Sequence, residues 1–111
     1  MTEFPATDAN FEKEVIEKSK AIPVVVDFWA TWCMACRVLS PTIQKVAKDF
    51  EGKLVLAVVN VDENPNLSSA FGIRSIPTII LFKDGKQVDG FTGALAEPMI
   101  HKWLEKNGIR K

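Results

Sequence analysis

Hydrophobic residues along this chain form two kinds of pattern, short continuous runs and stretches with helical spacing. Three runs rich in β-branched residues are short enough for buried strands, and they lie at 24–28, 54–61 and 78–82. Asp84 and Gly85 form a hairpin signal that pairs the third run with an antiparallel strand over 87–91. Pro5 has no N–H group, so residues 1–7 are expected to form an arm or an edge strand.

Apolar residues three and four positions apart predict helices between and after these strands. The predicted helices cover about 8–20, 36–50, 64–71 and 97–107. Asp8 or Asn10 is expected to cap the first helix, and Pro41 to kink the second. Alternating strands and helices imply parallel pairing with right-handed crossovers. The expected fold class is therefore α/β, one mixed sheet of four to five strands with helices on both faces, in one domain over 1–111.

The composition and charge of the chain argue against several classes of function. Of the 111 residues, 47% are apolar and 25% are charged, which is typical of a globular domain with a packed core. Fourteen basic residues balance fourteen acidic ones, so we expect no surface for nucleic acid or an anionic membrane. The apolar runs are too short to span a bilayer. The chain starts with acidic residues and no apolar secretory stretch follows, which favours a cytoplasmic protein.

Cys33 and Cys36 are the only cysteines of the chain. A disulfide closing so short a loop would constrain the unfolded chain little, so a reactive role outranks a structural one. The pair follows a predicted strand and opens a predicted helix, where unpaired N–H groups and the helix dipole favour a thiolate. Cys33 lies toward the loop and solvent, and Cys36 toward the shielded helix. One thiol can therefore attack a disulfide, and the other can resolve the product.

The sequence is compatible with two other interpretations of the cysteine pair. The cysteines could be inert and buried. They could also bind a metal, but a structural zinc site needs four ligands. His101 is the only histidine, lies far along the chain and is expected at the surface. Four thiolates would be available only in a cluster shared between two chains, so we expect no metal site.

Several motifs, in order along the chain, resemble those of thioredoxins. They are VDFWATWC at 26–33, then Cys36, Arg37 and Pro41, FGIRSIPT at 71–78, KDG at 83–85, and Gly93 with Ala94. The matching stretches run from about residue 8 to the C-terminal helix, and the ordered set is far more specific than one CxxC motif. The resemblance implies the thioredoxin fold and thiol–disulfide exchange.

The same resemblance implies roles for individual residues. Cys33 would be the attacking thiol and Cys36 the resolving thiol. Asp27 would be a buried proton acceptor and donor for Cys36; the alternative is a strand-end carboxylate satisfied by local hydrogen bonds. Pro77 would be cis and lie against the disulfide, leaving the backbone of Ile76 open to an extended substrate. The apolar rim for docking partner proteins would consist of Trp32, Ile76 and Gly93.

Two places depart from the family pattern. Met34 and Ala35 stand between the cysteines, where thioredoxins mostly have Gly-Pro, and are expected to tune the redox potential. The N–H of Ala35, which proline lacks, would point toward the Cys33 sulfur and stabilise its thiolate, making the protein a stronger oxidant. Val58 stands where many bacterial thioredoxins have a lysine, so Asp27 should be harder to ionise.

The expected function is reduction of protein disulfides by dithiol exchange through Cys33 and Cys36. The chain would hold no cofactor and would act as a monomer. It would donate electrons to disulfide-containing client proteins and be reduced again by a thioredoxin reductase. Two alternatives stay open: an oxidant or isomerase that uses the same dithiol, and a redox-inert module that binds a partner protein.

Overall fold

The fold is built on a five-stranded mixed sheet, seen in a computed structural model that describes residues 2–111. The strands are β1 (Glu3–Pro5), β2 (Val24–Trp29), β3 (Val55–Asn60), β4 (Thr78–Lys83) and β5 (Lys86–Thr92). Their order across the sheet is β1-β3-β2-β4-β5. β3 pairs in parallel with both β1 and β2, whereas β4 is antiparallel to β2 and β5. The expected α/β class with one mixed sheet is confirmed.

Helical segments connect and follow the strands. They are a π-helix (Glu12–Glu17) continued by a 3-10 turn (Lys18–Lys20), α1 (Met34–Asp49), α2 (Pro65–Ala70) and α3 (Glu97–Lys106). Pro41 lies inside α1. The β4–β5 hairpin turns at Asp84 and Gly85, with φ of +54° and +81°, the positive values that a tight two-residue hairpin turn favours. Among the described residues no helix is long and apolar enough to cross a membrane.

Helices cover both faces of the sheet, as expected. Successive residues of β2 point to opposite faces, so Val25 joins one apolar cluster while Val24 and Val26 join another. The first cluster is closed by residues of α1 and α3, such as Ile43 and Trp103. The second is closed by the N-terminal helical segment and α2. The strands therefore occupy the middle layer, and the carboxyl end of β2 opens toward the start of α1.

The first helix begins differently from the prediction. Neither Asp8 nor Asn10 caps it. Phe11 is the N-cap residue, and no side chain caps the segment. Thr7 and Asn10 instead bond each other across the preceding turn, where the Thr7 hydroxyl accepts from the Asn10 amide at 3.2 Å and Asn10 Oδ1 accepts from the Thr7 amide at 2.7 Å. The segment that follows is a π-helix and a 3-10 turn rather than a regular α-helix.

Asp8 instead caps α2, far along the chain. Its carboxylate accepts from the amides of Asn66 at 3.3 Å and Leu67 at 2.9 Å. Asn64, at the N-cap position of α2, makes no side-chain cap. Its side-chain amide is already used, since Oδ1 accepts from the Asp8 amide and Nδ2 donates to the Asn60 carbonyl. The start of α2 is therefore fixed by the N-terminal loop.

Candidate active site

Cys33 and Cys36 lie where β2 passes into α1, and they are joined by a disulfide. Cys33 is the N-cap residue of α1, so the helix begins at Met34, two residues earlier than predicted. The Cys36 amide donates to Cys33 Sγ at 3.1 Å. Cys33 is 6% exposed and Cys36 2%. Both are largely buried, and the small difference in exposure has the direction that the sequence predicted.

In the disulfide form, Cys33 Sγ accepts a hydrogen bond from the first turn of α1. The amide that reaches the Cys33 sulfur belongs to Cys36, not to Ala35. A side-chain acceptor at the N-cap position can bond the amide two or three residues further along, which here are Ala35 and Cys36, and in the disulfide form Cys36 is the donor. In the disulfide form the Ala35 N–H therefore does not supply the proposed contact.

The Ile76–Pro77 segment lies beside the disulfide. The peptide bond between these two residues is cis, and Ile76 O lies 3.7 Å from Cys33 Sγ. Ile76 also packs against the cluster that contains both cysteines. Gly93 is linked to the same segment, since its amide donates to the Pro77 carbonyl at 2.9 Å. Gly93 has φ of +90°, which favours glycine at this position.

An apolar surface surrounds the solvent side of the disulfide. Trp32 is 66% exposed and Met34 72%. The Trp32 indole N–H donates to Asp62 Oδ2 at 2.8 Å, which holds the ring in place. Asp62 was not identified from the sequence. The available signal was its position just after β3, the neighbour of the strand that leads to the cysteines.

Asp27 is buried beneath the site, 2% exposed, on β2. Burial raises the pKa of its carboxyl to about 7, and the negative charge of Glu3 adds to the rise. Val58 is its register partner on β3, so the adjacent strand offers no cation there. Asp27 Oδ1 has no hydrogen-bond partner among residues 2–111. This orphaned oxygen argues against the alternative of a carboxylate satisfied by local hydrogen bonds.

Three polar residues near Asp27 were not identified from the sequence. A cleft of about 220 Å³ lies against Asp27, and Glu3, Ser40 and Gln44 also line it. Ser40 follows Cys36 by four residues, and this helical spacing was the available signal. Glu3 is brought to the cleft by the position of β1 at the edge of the sheet.

A second group of titratable side chains lies at the far end of α1. Ligand atoms of Asp49, Glu97 and His101 lie within 4.8 Å of one another. The Lys45 ammonium already pairs with Asp49 at 3.0 Å and Glu97 at 2.9 Å, so the two carboxylates have a cation. His101 lies at the surface with 31% of its side chain exposed, and its ring packs against Phe50.

Comparison with known proteins gives consistent matches over nearly the whole chain. The thioredoxin family model matches residues 3–106. A thioredoxin of Chlorobaculum thiosulfatiphilum is 50% identical over 104 residues, covering 94% of each chain. Thioredoxin 2 of Chlorobaculum tepidum is 49% identical, with 94% of each chain covered. Thioredoxin 1 of a Nostoc species is 45% identical over 101 residues, covering 91% of this chain and 92% of the relative.

Proposed function

The chain belongs to the thioredoxin family and is a dithiol–disulfide oxidoreductase of the thioredoxin type, and we propose that it acts as a cytoplasmic reductase of protein disulfides. The observation that supports this most is the cysteine pair at the start of α1, already within disulfide distance and bounded by an exposed apolar surface. Family membership implies client proteins with disulfides and a reductase in general terms. We also propose that the protein is a monomer, that it acts in the cytoplasm and that a thioredoxin reductase reduces it again.

In the proposed reaction Cys33 attacks first. Its thiolate forms a bond to one sulfur of the client disulfide, and the other client sulfur leaves as a thiolate. The Cys36 amide at 3.1 Å and the N-terminus of α1 favour negative charge on Cys33 Sγ. Cys36 then loses its proton and attacks Cys33 Sγ. The internal disulfide forms, and the second client thiolate is released.

Asp27 is proposed to take the proton of Cys36. A carboxyl with a pKa of about 7 is close to half ionised at neutral pH, so it can both accept and return a proton there. An ordinary aspartate would be almost fully ionised and a poor proton donor. The rise in pKa caused by burial thus suits the role that the resemblance implied.

Client proteins are proposed to dock on an apolar surface formed by Trp32, Ile76, Pro77 and Gly93, with Met34 beside it. Trp32 and Met34 are exposed on the solvent side of the disulfide. Ile76 precedes β4, so its backbone lies outside the strand ladder and is placed to pair with an extended client segment. Met34 and Ala35 are proposed to tune the potential of the disulfide only slightly, by less than about 30 mV.

Matched serine variants test the division of labour between the cysteines. Cys33→Ser should abolish disulfide reduction of insulin with dithiothreitol as electron donor, because no attacking thiolate remains. Cys36→Ser should trap mixed disulfides with client proteins, because nothing resolves them. Adducts formed by Cys33→Ser but not by Cys36→Ser would reverse the assignment. Full biological activity of the doubly substituted protein would favour the redox-inert binding module, and an equilibrium potential near that of oxidising family members would favour the oxidant or isomerase.

A further inference from the structure

Two neighbouring clefts near the active-site disulfide share part of their lining. One, of about 380 Å³, is lined by Cys36 and the neighbouring residues of the loop and α1. The other, of about 220 Å³, is lined by Asp27. Trp29 and Ser40 line both clefts. These two side chains therefore lie between the cleft at Cys36 and the cleft at Asp27.

Ser40 is well placed between these two clefts. It follows Cys36 by one turn of α1, so the two side chains project from the same face of the helix. Ser40 is half-buried, and its side chain lines both clefts. The hydroxyl can therefore turn toward either cleft.

The other polar groups beside Asp27 are less suited to pass a proton. Gln44 Nε2 donates to Glu3 Oε2 at 3.4 Å, so these two side chains are paired with each other. The Trp29 indole can donate but cannot accept a hydrogen bond. A serine hydroxyl donates and accepts at once. Asp27 Oδ1, buried without a partner, is an acceptor that needs a donor.

We propose that Ser40 is a positioning residue for the resolving step, and that its hydroxyl orders the hydrogen-bonded path from the Cys36 thiol to the Asp27 carboxylate. This inference rests on the proposed roles of Cys36 and Asp27. The S–H bond of Cys36 breaks, its proton passes by way of the Ser40 hydroxyl and water, and an O–H bond forms on Asp27. The Cys36 thiolate then attacks Cys33 Sγ of the mixed disulfide, and the client sulfur leaves as a thiolate.

Substituting Ser40 changes no charge, so its effect on the pH profile reports on the path. The charged and titratable side chains that line the two clefts are Glu3 from β1, Asp27 from β2, and Cys36 and Arg37 from α1. β3 contributes only Val58 to the cleft beside Asp27. Alanine is a better helix former than serine, so Ser40→Ala should fold.

The test uses the reduced protein and dithiobis(nitrobenzoate) in stopped flow. The first release of thionitrobenzoate reports attack by Cys33, and the second reports resolution by Cys36. Ser40→Ala should leave the first phase unchanged and slow the second about tenfold at neutral pH, a modest part of the ~10²–10⁴-fold that positioned proton transfer contributes. The rate of the second phase of Ser40→Ala should also reach its maximum at a higher pH than that of the parent. Ser40→Thr, which keeps the hydroxyl, should restore the rate.

A double substitution separates a proton path from a structural effect. In an Asp27→Asn background the path has no acceptor, so adding Ser40→Ala should slow the second phase no further. A second phase that is equal in Ser40→Ala and the parent at every pH would overturn the inference. The inference would also be overturned if Ser40→Ala slowed the second phase by the same factor in the Asp27→Asn background. Loss of the first phase in the parent itself would contradict the proposed role of Cys33, and the inference with it.

Discussion

Asp27 and Val58 are register partners on the parallel strands β2 and β3, so a buried carboxyl lies beside an aliphatic side chain. Desolvation disfavours the charged carboxylate, and no cation on β3 offsets this effect. Glu3, on the strand beyond β3, adds a negative charge at the same cleft. The raised pKa of Asp27 is thus a property of three neighbouring strands rather than of one residue.

The raised pKa makes the stability of the protein depend on pH. The folded state holds the Asp27 proton up to a pKa of about 7, whereas the unfolded chain releases it near 3.8. Stability is therefore lost as pH rises from about 4 to about 7, and is constant above. At about 1.36 kcal/mol per pKa unit the upper limit is about 4 kcal/mol. Asp27→Ala should abolish this loss and be more stable than the parent at pH 8, as measured by urea unfolding of the disulfide form.

Asp89 serves as a control, because its effect on the pH dependence of stability should be opposite in sign to that of Asp27. Its pKa is lowered, chiefly by the hydrogen bond from the Asn107 side chain. The contribution of Asp89 to stability is therefore present above its unfolded pKa and is lost as pH falls. Asp89→Asn should cost more stability at pH 7 than at pH 3.

If Asp27→Ala is less stable than the parent at pH 8, burial of Asp27 does not destabilise the protein as described.

Charges at the cleft should move the pKa of Asp27 in predictable directions. Glu3→Gln should lower it, because a neighbouring negative charge is removed, and high salt should reduce the difference by screening. Val58→Lys should lower it further, by about 1–3 pKa units, since an opposite charge close by favours the ionised form. Carboxyl ¹³C NMR titration measures both effects. Val58→Met is the neutral control of similar length, and an equal shift in that variant would show that charge is not the cause.

The sequence predicted the parts of this fold that depend on local patterns. The runs at 24–28, 54–61 and 78–82 became β2, β3 and β4 because each is apolar enough to be buried in the sheet. The motif of Cys33 and Cys36 was recognisable because its spacing and its place before a helix are local features. The turn at 84–85 was recognisable for the same reason, since an Asp-Gly pair tolerates positive φ.

Other features could not be predicted because they arise between distant parts of the chain. Asp8 was assigned to the nearest helix, yet it caps α2, 58 and 59 residues away. Glu3 reaches the Asp27 cleft only because β1 pairs with β3 at the edge of the sheet. The hydrogen bond from the Cys36 amide to Cys33 Sγ was not predicted, because the sequence does not give the exact turn geometry of the helix start.

The contact of Asp8 with α2 should contribute measurably to stability. Asp8→Ala leaves the amides of Asn66 and Leu67 without their acceptor, and loss of such a cap costs about 1 kcal/mol. Asp8→Asn retains an acceptor oxygen and should cost less. Urea unfolding at neutral pH measures both values. Glu12→Ala, an exposed acidic position in the segment that follows, is the control and should have little effect.

The last prediction concerns Met34 and Ala35. Because the hydrogen bond to Cys33 Sγ comes from Cys36, a proline at position 35 leaves it in place. Proline is also tolerated in the first turn of a helix, where its missing N–H has no intrahelical partner. The double change Met34→Gly with Ala35→Pro should therefore shift the redox potential by less than about 30 mV, the equivalent of 1.4 kcal/mol for two electrons. Equilibration with glutathione measures the shift, and Ala35→Gly is the control that keeps the N–H. A larger fall in potential with proline, absent from the Ala35→Gly control, would show that the amide of Ala35 stabilises the Cys33 thiolate once the disulfide is reduced.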